Sequence, residues 1–294
     1  TTDGYTQRLS SSTTYLYTPA SNDASIFPKF TANTRPLDDG GTANCYIAPE
    51  LNTSYSFDAT TMGNGRATTN IVPKRLAGAE AKVLWETGTL GKTVIRDAEY
   101  KNGRIVFTTG SARGNAVIGL LDSRGECIWS WHIWSVDYEI EATAQTYASG
   151  AVFMDRNLGA LATDCTQAAA KGLYYQWGRK DPFIGPNTYQ GSEGSGASMY
   201  SGSGSRVYLK MSESSAETGT MEYAIRNPLV FITGVADTDN DWLWSGRSDQ
   251  LWSADDNVAD KSVNDPCPYG WRVAPSGAFD NLAIVGTPAV GDEA

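Results

Sequence analysis

The chain has 294 residues, of which 40% are hydrophobic and 19% are charged, which is ordinary for a folded protein of about two domains. It carries 23 Lys and Arg against 33 Asp and Glu, so its formal net charge is −10 and it would repel a polyanion such as DNA. We therefore expect no nucleic-acid partner. No apolar run in the sequence approaches the roughly 18 residues that a membrane-spanning helix needs.

Residues 1–40 predict an irregular lead-in segment. The stretch "SSSTTYLY" is a candidate strand, but "TPASNDAS", Pro28, Pro36 and "DDGG" favour turns. The first residue is Thr1 and not Met, so the chain either has been processed or starts before the residues given. An export signal would leave no trace after its removal. The many aromatic, Gly, Ser, Thr and Asn residues are typical of an exported β protein.

Residues 41–145 predict an antiparallel β-sandwich module. Short β-type runs, "NCYIA", "TSYSFDA" and "AKVLWET", are separated by turn-forming stretches. The pair Asn102-Gly103 lies between two further runs and is the strongest short signal for a hairpin. A second hairpin is predicted with its turn at residues 122–125. Short strands at this spacing favour a sandwich.

The octapeptide "CIWSWHIW", residues 127–134, contains three of the nine tryptophans and the single histidine, His132. In a strand, alternate residues share a face. One face would be wholly apolar and the other mixed, with Cys127, Trp129, Trp131 and Ile133 on the first and Ile128, Ser130, His132 and Trp134 on the second. We expect the first face in the sandwich core and the second covered by a neighbouring domain.

A single histidine restricts the chemistry open to the chain. It excludes a multi-histidine metal site, and a Ser-His-Asp triad would have to use His132 itself. The sequence also lacks a phosphate-binding G-x-x-x-x-G-K-[ST] loop, a G-x-S-x-G nucleophile elbow and a dinucleotide fingerprint. We predict that His132 is structural, hydrogen-bonded where two domains meet, and that the protein has no catalytic residues.

In residues 146–294 the short alternating β-type runs give way to helical patterns and long loops, which predict an α+β domain. A helix is predicted from a cap at Asp164 to a stop at Gly178, with Ala169, Leu173 and Trp177 along one stripe. A loop follows in which 11 of the 15 residues from 191 to 205 are Gly or Ser. Further along, "TGTMEYAIRNP" predicts a second, shorter helix and "LVFITG" predicts a strand.

Six stretches, in order along the chain, carry a resemblance to a known family. They are "ANCYIA" (43–48), "GNAVIGLLDSRGECIWSWHIW" (114–134), "FMDRNLGA" (153–160), "GLYYQWGRKDPF" (172–183), "GTMEYAIRNP" (219–228) and "DPCPYGWRV" (265–273). Together they resemble Bacteroidota surface proteins in which a small β-sandwich precedes a Fibrobacter succinogenes major paralogous (FISUMP) domain. Some members of this family are fimbrillin-like or pilus-associated.

The resemblance covers residues 41–280 and implies an exported protein, lipid-anchored or borne on a pilus. It also implies a C-type-lectin-like fold for the C-terminal domain, with the ligand surface on a long loop region. In pilus-type relatives, an N-terminal segment can act as a strand exchanged between subunits, which would be a role for residues 1–40.

The chain departs from the family pattern near its C-terminal end. Relatives continue past a "GWRVP" motif into further strands and a final cysteine, whereas here Ala274 stands in place of the proline. The resemblance therefore implies an incomplete C-terminal domain, in which Cys267 lacks the cysteine that would pair with it. From the residues alone, Cys45, Cys127, Cys165 and Cys267 allow several disulfide pairings or four free thiols.

Asp237, Asp239 and Asp241 form a D-x-D-x-D pattern that resembles the start of a calcium loop. An EF-hand would need Gly and Glu where Trp242 and Ser248 stand, so only an irregular calcium site fits. A solvated acidic loop without an ion is the alternative. No other cofactor is expected.

Trp242, Trp244 and Trp252, together with Asn240, form a candidate sugar platform. Flat indoles stack on the apolar faces of sugars, while acidic and amide groups bind the hydroxyls. The alternative is that these rings pack the core, as we expect of Trp177 and Trp271. The motifs with which C-type lectins bind sugar through calcium, such as Glu-Pro-Asn, are absent.

The predicted architecture is β-rich α+β: a lead-in segment (1–40), a β-sandwich (41–145) and a C-type-lectin-like domain (146–294). The predicted function is that of a secreted cell-surface structural or adhesive protein, a lipoprotein of the outer-membrane surface in a pilus-like (fimbrial) or coat assembly. Its expected partners are other protein subunits and glycans, bound at the loops between residues 185 and 265. Two alternatives stay open: a glycan-binding lectin of a nutrient-capture system, and a degenerate hydrolase using carboxylates such as Glu139 and Glu141.

Overall fold

The structure is a computed structural model that describes residues 34–67, 72–89, 91–184, 198–248, 250–253 and 261–279. These residues belong to one of the two units into which the chain divides, Thr34–Ala294. Most of the predicted lead-in segment, and residues 185–197 of the predicted Gly/Ser-rich loop, lie outside the described residues.

The described residues are rich in strands and contain two short α-helices. The strands are β1 (Arg35–Pro36), β2 (Cys45–Ile47), β3 (Ser54–Asp58), β4 (Glu80–Glu86), β5 (Ile95–Lys101), β6 (Arg104–Thr109), β7 (Gly114–Leu121), β8 (Cys127–Ser135), β9 (Gln145–Thr146), β10 (Val152–Phe153), β11 (Met199–Tyr200), β12 (Arg206–Val207), β13 (Lys210–Glu213) and β14 (Val230–Thr233). The helices are α1 (Ile140–Thr143) and α2 (Met221–Arg226). This content confirms the predicted β-rich α+β class.

Two sheets form a sandwich. The smaller has the order β1-β3-β6-β5, and the larger has the order β12-β11-β4-β7-β8-β2. Most neighbours are antiparallel, but β1 pairs with β3, and β2 with β8, in parallel. Aromatic side chains bridge the two sheets: the rings of Phe57 and Trp131 lie 5.2 Å apart, and Tyr46 stacks on Phe57 at 4.4 Å. The inner faces therefore form one aromatic-rich core.

Both predicted hairpins are confirmed. Asn102 and Gly103 join β5 to β6 with φ values of 52° and 80°, the left-handed conformations that a tight two-residue turn requires. Between β7 and β8, the Asp122 carboxylate accepts hydrogen bonds from the backbone N–H groups of Arg124 and Glu126. Gly125 completes this second turn with a φ of 81°.

From Trp129 onwards, strand β8 follows the alternation predicted for the octapeptide, whereas Ile128, predicted on the outer face, packs against the inner core because the β7–β8 register shifts next to it. Trp129, Trp131 and Ile133 lie in the core between the two sheets. Trp134 points to the opposite face of the larger sheet, where it packs in a second cluster with Val136, Tyr138 and Ile140. The larger sheet is thus buried on both faces at β8, because a layer contributed by later residues covers its outer face.

The later residues also extend the larger sheet. Tyr200 of β11 pairs with Glu86 of β4, and β12 pairs with β11. Residues 145–153 form a separate ribbon of β9 and β10. Helix α2 and strand β14 appear where the sequence predicts them, with the Thr220 hydroxyl accepting a hydrogen bond from the Tyr223 N–H at the start of α2. The predicted division at residue 145 stays a prediction.

The helix predicted from Asp164 to Gly178 is wrong. Only a 3-10 turn forms there, at Ala168–Ala170. Gly172 has a φ of 73°, and a Cβ at this position would lie 2.7 Å from the Leu158 carbonyl oxygen. The chain then makes a turn at residues 176–179, and Tyr174 and Phe183 on either side of it exchange two backbone hydrogen bonds. Tertiary pairing at Gly172 and beyond overrides the helical periodicity of the sequence.

The core placement predicted for Trp177 is also wrong, because its side chain is 42% exposed. Trp271 does pack against the Trp134 cluster, as expected. Trp177 lies in a turn closed by a hydrogen bond from the Arg179 N–H to the Gln176 carbonyl, so the helical stripe on which the prediction rested does not form.

Candidate functional site

His132 lies between two polar side chains contributed by neighbouring strands. The parallel pairing of β2 with β8 places Cys45 opposite His132, and Asn115 stands on β7 beside them. The Cys45 Sγ lies 3.3 Å from His132 Nδ1, and His132 Nε2 lies 2.9 Å from Asn115 Oδ1. The three side chains form a Cys–His–Asn arrangement of the kind that activates a cysteine nucleophile in some hydrolases.

Hydrogen bonding assigns the protons of this arrangement. The Asn115 side-chain amide donates to the Gly159 carbonyl at 2.9 Å, so its Oδ1 faces the imidazole as an acceptor. His132 Nε2 therefore carries the proton, and Nδ1 accepts from the Cys45 thiol. With all three residues at most 5% exposed, burial lowers the pKa of His132 to about 3 and raises that of Cys45 well above its usual value. The pair is neutral, whereas a cysteine nucleophile needs its thiolate.

The arrangement is sealed by the layer that covers the larger sheet. The Trp134 ring lies nearly parallel to the imidazole at 6.4 Å, and its Nε1 donates to the Ala160 carbonyl. Residues 157–160 thus bond to the sheet through both Asn115 and Trp134. His132 is buried and hydrogen-bonded, as predicted, although Cys45 and Asn115 were missed as its partners. Their separation in the sequence left no local signal for this contact.

A second buried polar cluster joins β8 to the "GRKDP" stretch. Lys180 Nζ lies 2.8 Å from Asp181 Oδ1 and 2.5 Å from Ser130 Oγ, and the ammonium sits 4.6 Å above the Trp129 ring. Ser130 donates its hydroxyl to the same Asp181 oxygen at 2.5 Å. Lys180 and Asp181 are both buried. Ser130 is buried, and its hydroxyl proton is donated to Asp181. The cluster therefore holds β8 and residues 178–182 together, and the Ser130 hydroxyl is not accessible from solvent.

The same stretch also holds α2 and β14 in place. Gln176 forms two hydrogen bonds with the backbone of Ile232, one from its amide and one to its oxygen. Arg179 donates to the carbonyls of Val230 and Asn227 at 2.7 and 3.2 Å. Burial lowers the pKa of Arg179 to about 10. The polar side chains of "QWGRKDP" therefore form buried hydrogen bonds that join this irregular segment to α2, β14 and β8.

The candidate sugar-binding tryptophans do not share one surface. Trp242 and Trp252 are buried, and their indole N–H groups donate to the carbonyls of Trp177 and Arg179. Trp244 is 36% exposed, and Asn240 is exposed. Trp177, whose ring lies 4.7 Å from that of Trp252, is the more exposed indole. The structure therefore leaves Trp244 and Trp177 as the rings in this region that a ligand can reach.

Two of the three candidate calcium ligands bind other groups of the protein. Asp239 pairs with Arg247 at 2.8 Å, and Asp241 caps the backbone N–H of Leu243. Asp237 lies in the 3-10 turn Ala236–Thr238. Within the described part of the chain, no three His, Cys, Asp or Glu side chains are grouped so that they could hold a metal ion. The geometry gives the calcium site no support.

All four cysteines are free thiols in this structure. Cys45, Cys127 and Cys267 are buried, whereas Cys165 is exposed. Burial raises the pKa of Cys127 to about 12 and that of Cys267 far above its usual range. Of the alternatives that the sequence leaves open, the structure therefore shows the one without disulfides.

A large cleft opens between residues 150–171 and residues 267–279. Its volume is about 1250 Å³, and its lining includes Met154, Leu158 and Trp271, which also pack against the Trp134 cluster. Cys165 and Cys267 both line it. No sequence pattern predicts this cleft, because the two segments that line it are far apart in the chain and only the fold brings them together.

A comparison of the chain with protein-family models, with curated proteins and with solved structures finds no match. The family resemblance of residues 41–280 is therefore carried by the sequence motifs alone. Among the described residues, no helix is both long enough and apolar enough to cross a lipid bilayer.

Proposed function

We propose that the chain is a structural or adhesive protein of the cell surface, a component of a pilus-like or coat assembly, and not an enzyme. The observation that carries this proposal is the state of its single imidazole, which is buried, neutral and hydrogen-bonded on both nitrogens. The nearby candidate nucleophiles, Cys45 and Ser130, are buried as well. The hydrogen bonds of His132, Cys45 and Ser130 join neighbouring strands and the layer that covers them, which supports a structural role.

An extracellular or outer-membrane location, with lipid anchoring, is part of this proposal. It is supported by the resemblance to Bacteroidota surface proteins with FISUMP domains and by a composition rich in aromatic, Gly, Ser, Thr and Asn residues. The partners in such an assembly would be other protein subunits. We infer a C-type-lectin-like character for residues 146–294 from the same resemblance.

The assembly proposal is tested on the protein as purified from its native surface. We expect filaments or regular multimers in negative-stain electron microscopy, with the chain identified in them by mass spectrometry. A chain that is recovered from the surface only as a monomer, at every concentration and ionic strength tried, would refute a structural role in an assembly.

Glycan binding is a second candidate, favoured by the exposed indoles of Trp177 and Trp244. Saturable binding on a glycan array is the expected result, and it should weaken in Trp177→Ala or Trp244→Ala. The matched control is Tyr269→Ala, which removes an exposed aromatic ring on a different part of the chain. Equal loss in all three variants, or no binding by the intact protein, would remove this candidate.

A further inference from the structure

We propose that a small cavity beside Arg179 binds one monatomic anion of the halide class, such as chloride. The cavity is bordered by residues 178–181, by side chains of α2 and by Asn264. The proposal does not depend on the surface-assembly function, because it concerns an ion held inside a single chain. It is supported by a buried donor without a partner, by an excess of buried positive charge and by the size of the cavity.

The Arg179 side chain is buried, and one of its donor groups has no acceptor. Its Nη1 donates to the Gln176 side-chain oxygen and to the Val230 carbonyl, both at 2.7 Å. Its Nη2 donates to the carbonyls of Ala224 and Asn227 at 3.4 and 3.2 Å. The buried Nε has no hydrogen-bond partner among the described residues. Because a buried N–H without an acceptor costs free energy, we expect a ligand that accepts from Nε in the adjacent cavity.

The charges around the cavity favour an anion. Arg179 and Lys180 are two cations against one carboxylate, Asp181, and all three are buried. Asp181 is bound by Lys180, with 2.8 Å between Nζ and Oδ1. No ion pair of the described residues includes Arg179. The carbonyl groups around Arg179 solvate its charge but carry none themselves. An anion in the cavity would therefore compensate a buried charge that is otherwise unfavourable.

The size of the cavity and its second donor restrict the ligand further. Its volume of about 10 Å³ has room for one species of about the size of a water molecule, which disfavours phosphate and organic anions. The Asn264 side-chain amide, also buried, contacts the Met221 sulfur at 3.6 Å. Sulfur is a weak acceptor, so this amide can donate to an ion as well. A water molecule would fit the space but would leave the charge of Arg179 uncompensated.

The test follows the urea unfolding midpoint of the full chain while sodium chloride replaces sodium gluconate at constant ionic strength. An anion that binds only the folded protein raises the midpoint, and we expect a rise that levels off as the site saturates. Asn264→Asp places a fixed carboxylate at the cavity and should abolish this rise. The matched control, Asn102→Asp, makes the same change in the exposed turn between β5 and β6 and should keep the full rise.

A crystal of the unmodified protein soaked in sodium bromide gives a second readout that needs no variant. Bromide scatters anomalously, and we expect an anomalous difference peak in the cavity, within hydrogen-bond distance of Arg179 Nε. The proposal is overturned if the cavity shows no such peak, or if the unfolding midpoint is the same in the two salts, since water alone would then occupy the site. An equal rise in Asn264→Asp and Asn102→Asp would overturn it as well, because the chloride effect would then arise elsewhere.

Discussion

The state of His132 has a direct consequence for the pH dependence of stability. Burial lowers the pKa of its imidazole to about 3 in the folded protein, against 6.5 for an exposed histidine. As the pH falls, the unfolded chain therefore takes up this proton first. The contribution of His132 to stability is complete above about pH 6.5 and is lost as the pH falls towards 3, by at most about 1.4 kcal/mol per pH unit.

Comparison with His132→Gln isolates this contribution. At pH 7 we expect the variant to be less stable by about 2–4 kcal/mol, because the bonds to Cys45 and Asn115 are disturbed in a buried site. The difference should narrow as the pH falls from 6.5 to 4.5, since only the histidine protein can gain the proton on unfolding. Urea unfolding curves at several pH values measure it, and a difference that does not change with pH would show that His132 titrates like an exposed residue.

The thiols give a second prediction for single residues. Cys165 is exposed, whereas Cys45, Cys127 and Cys267 are buried and have raised pKa values, so they hold little thiolate at neutral pH. An aromatic disulfide reagent should label one cysteine of the folded protein quickly and all four in denaturant. Rapid labelling of Cys45, located by peptide mass spectrometry, would contradict the sealed Cys–His–Asn arrangement.

Among the elements, the stretch containing Gln176 and Arg179 matters more than its lack of regular structure suggests. The Arg179 guanidinium donates hydrogen bonds to backbone carbonyls at the end of α2 and on β14. We expect Arg179→Lys to destabilise the protein by about 2–3 kcal/mol, because an ammonium cannot bond all of these carbonyls at once. Chemical denaturation measures the effect.

The matched control for this substitution is Arg226→Lys on α2, the helix whose end Arg179 contacts. Arg226 is exposed and pairs with Glu222 one turn away, so its replacement should change stability by less than about 0.5 kcal/mol. Similar losses of unfolding free energy in the two variants would show that the hydrogen bonds of Arg179 to the backbone do not stabilise the protein.

The sequence predicts an element when the information lies within that element. Asn102-Gly103 forms its turn through two left-handed residues, and β8 shows its two faces through alternation from Trp129 to Trp134. The helix predicted at 164–178 failed because the pairing of Tyr174 with Phe183, nine residues away, decides the backbone there. Cys45 and His132 are 87 residues apart in the sequence, and no pattern within either strand predicts their contact.

For the whole molecule, the covering of the larger sheet links the two predicted modules. Asn115 and Trp134 bond to the layer at residues 157–160, and β11 extends the sheet of β4. Because separating the halves would expose these buried groups, we expect one cooperative thermal transition in calorimetry, with calorimetric and van't Hoff enthalpies in agreement. Two separable transitions would instead support modules that fold independently on either side of residue 145.

The proposed function depends most on the state of the single imidazole, which is buried and neutral in the structure and which we propose to be non-catalytic. With one histidine in the chain, carbon-13 and nitrogen-15 NMR of labelled histidine gives one ring to follow. The predicted result is a chemical shift that stays constant from pH 8 to pH 5, with the proton on Nε2, and that does not respond to added divalent metal ions. A titration midpoint near the 6.5 of an exposed histidine, or a shift on adding zinc, would contradict the account.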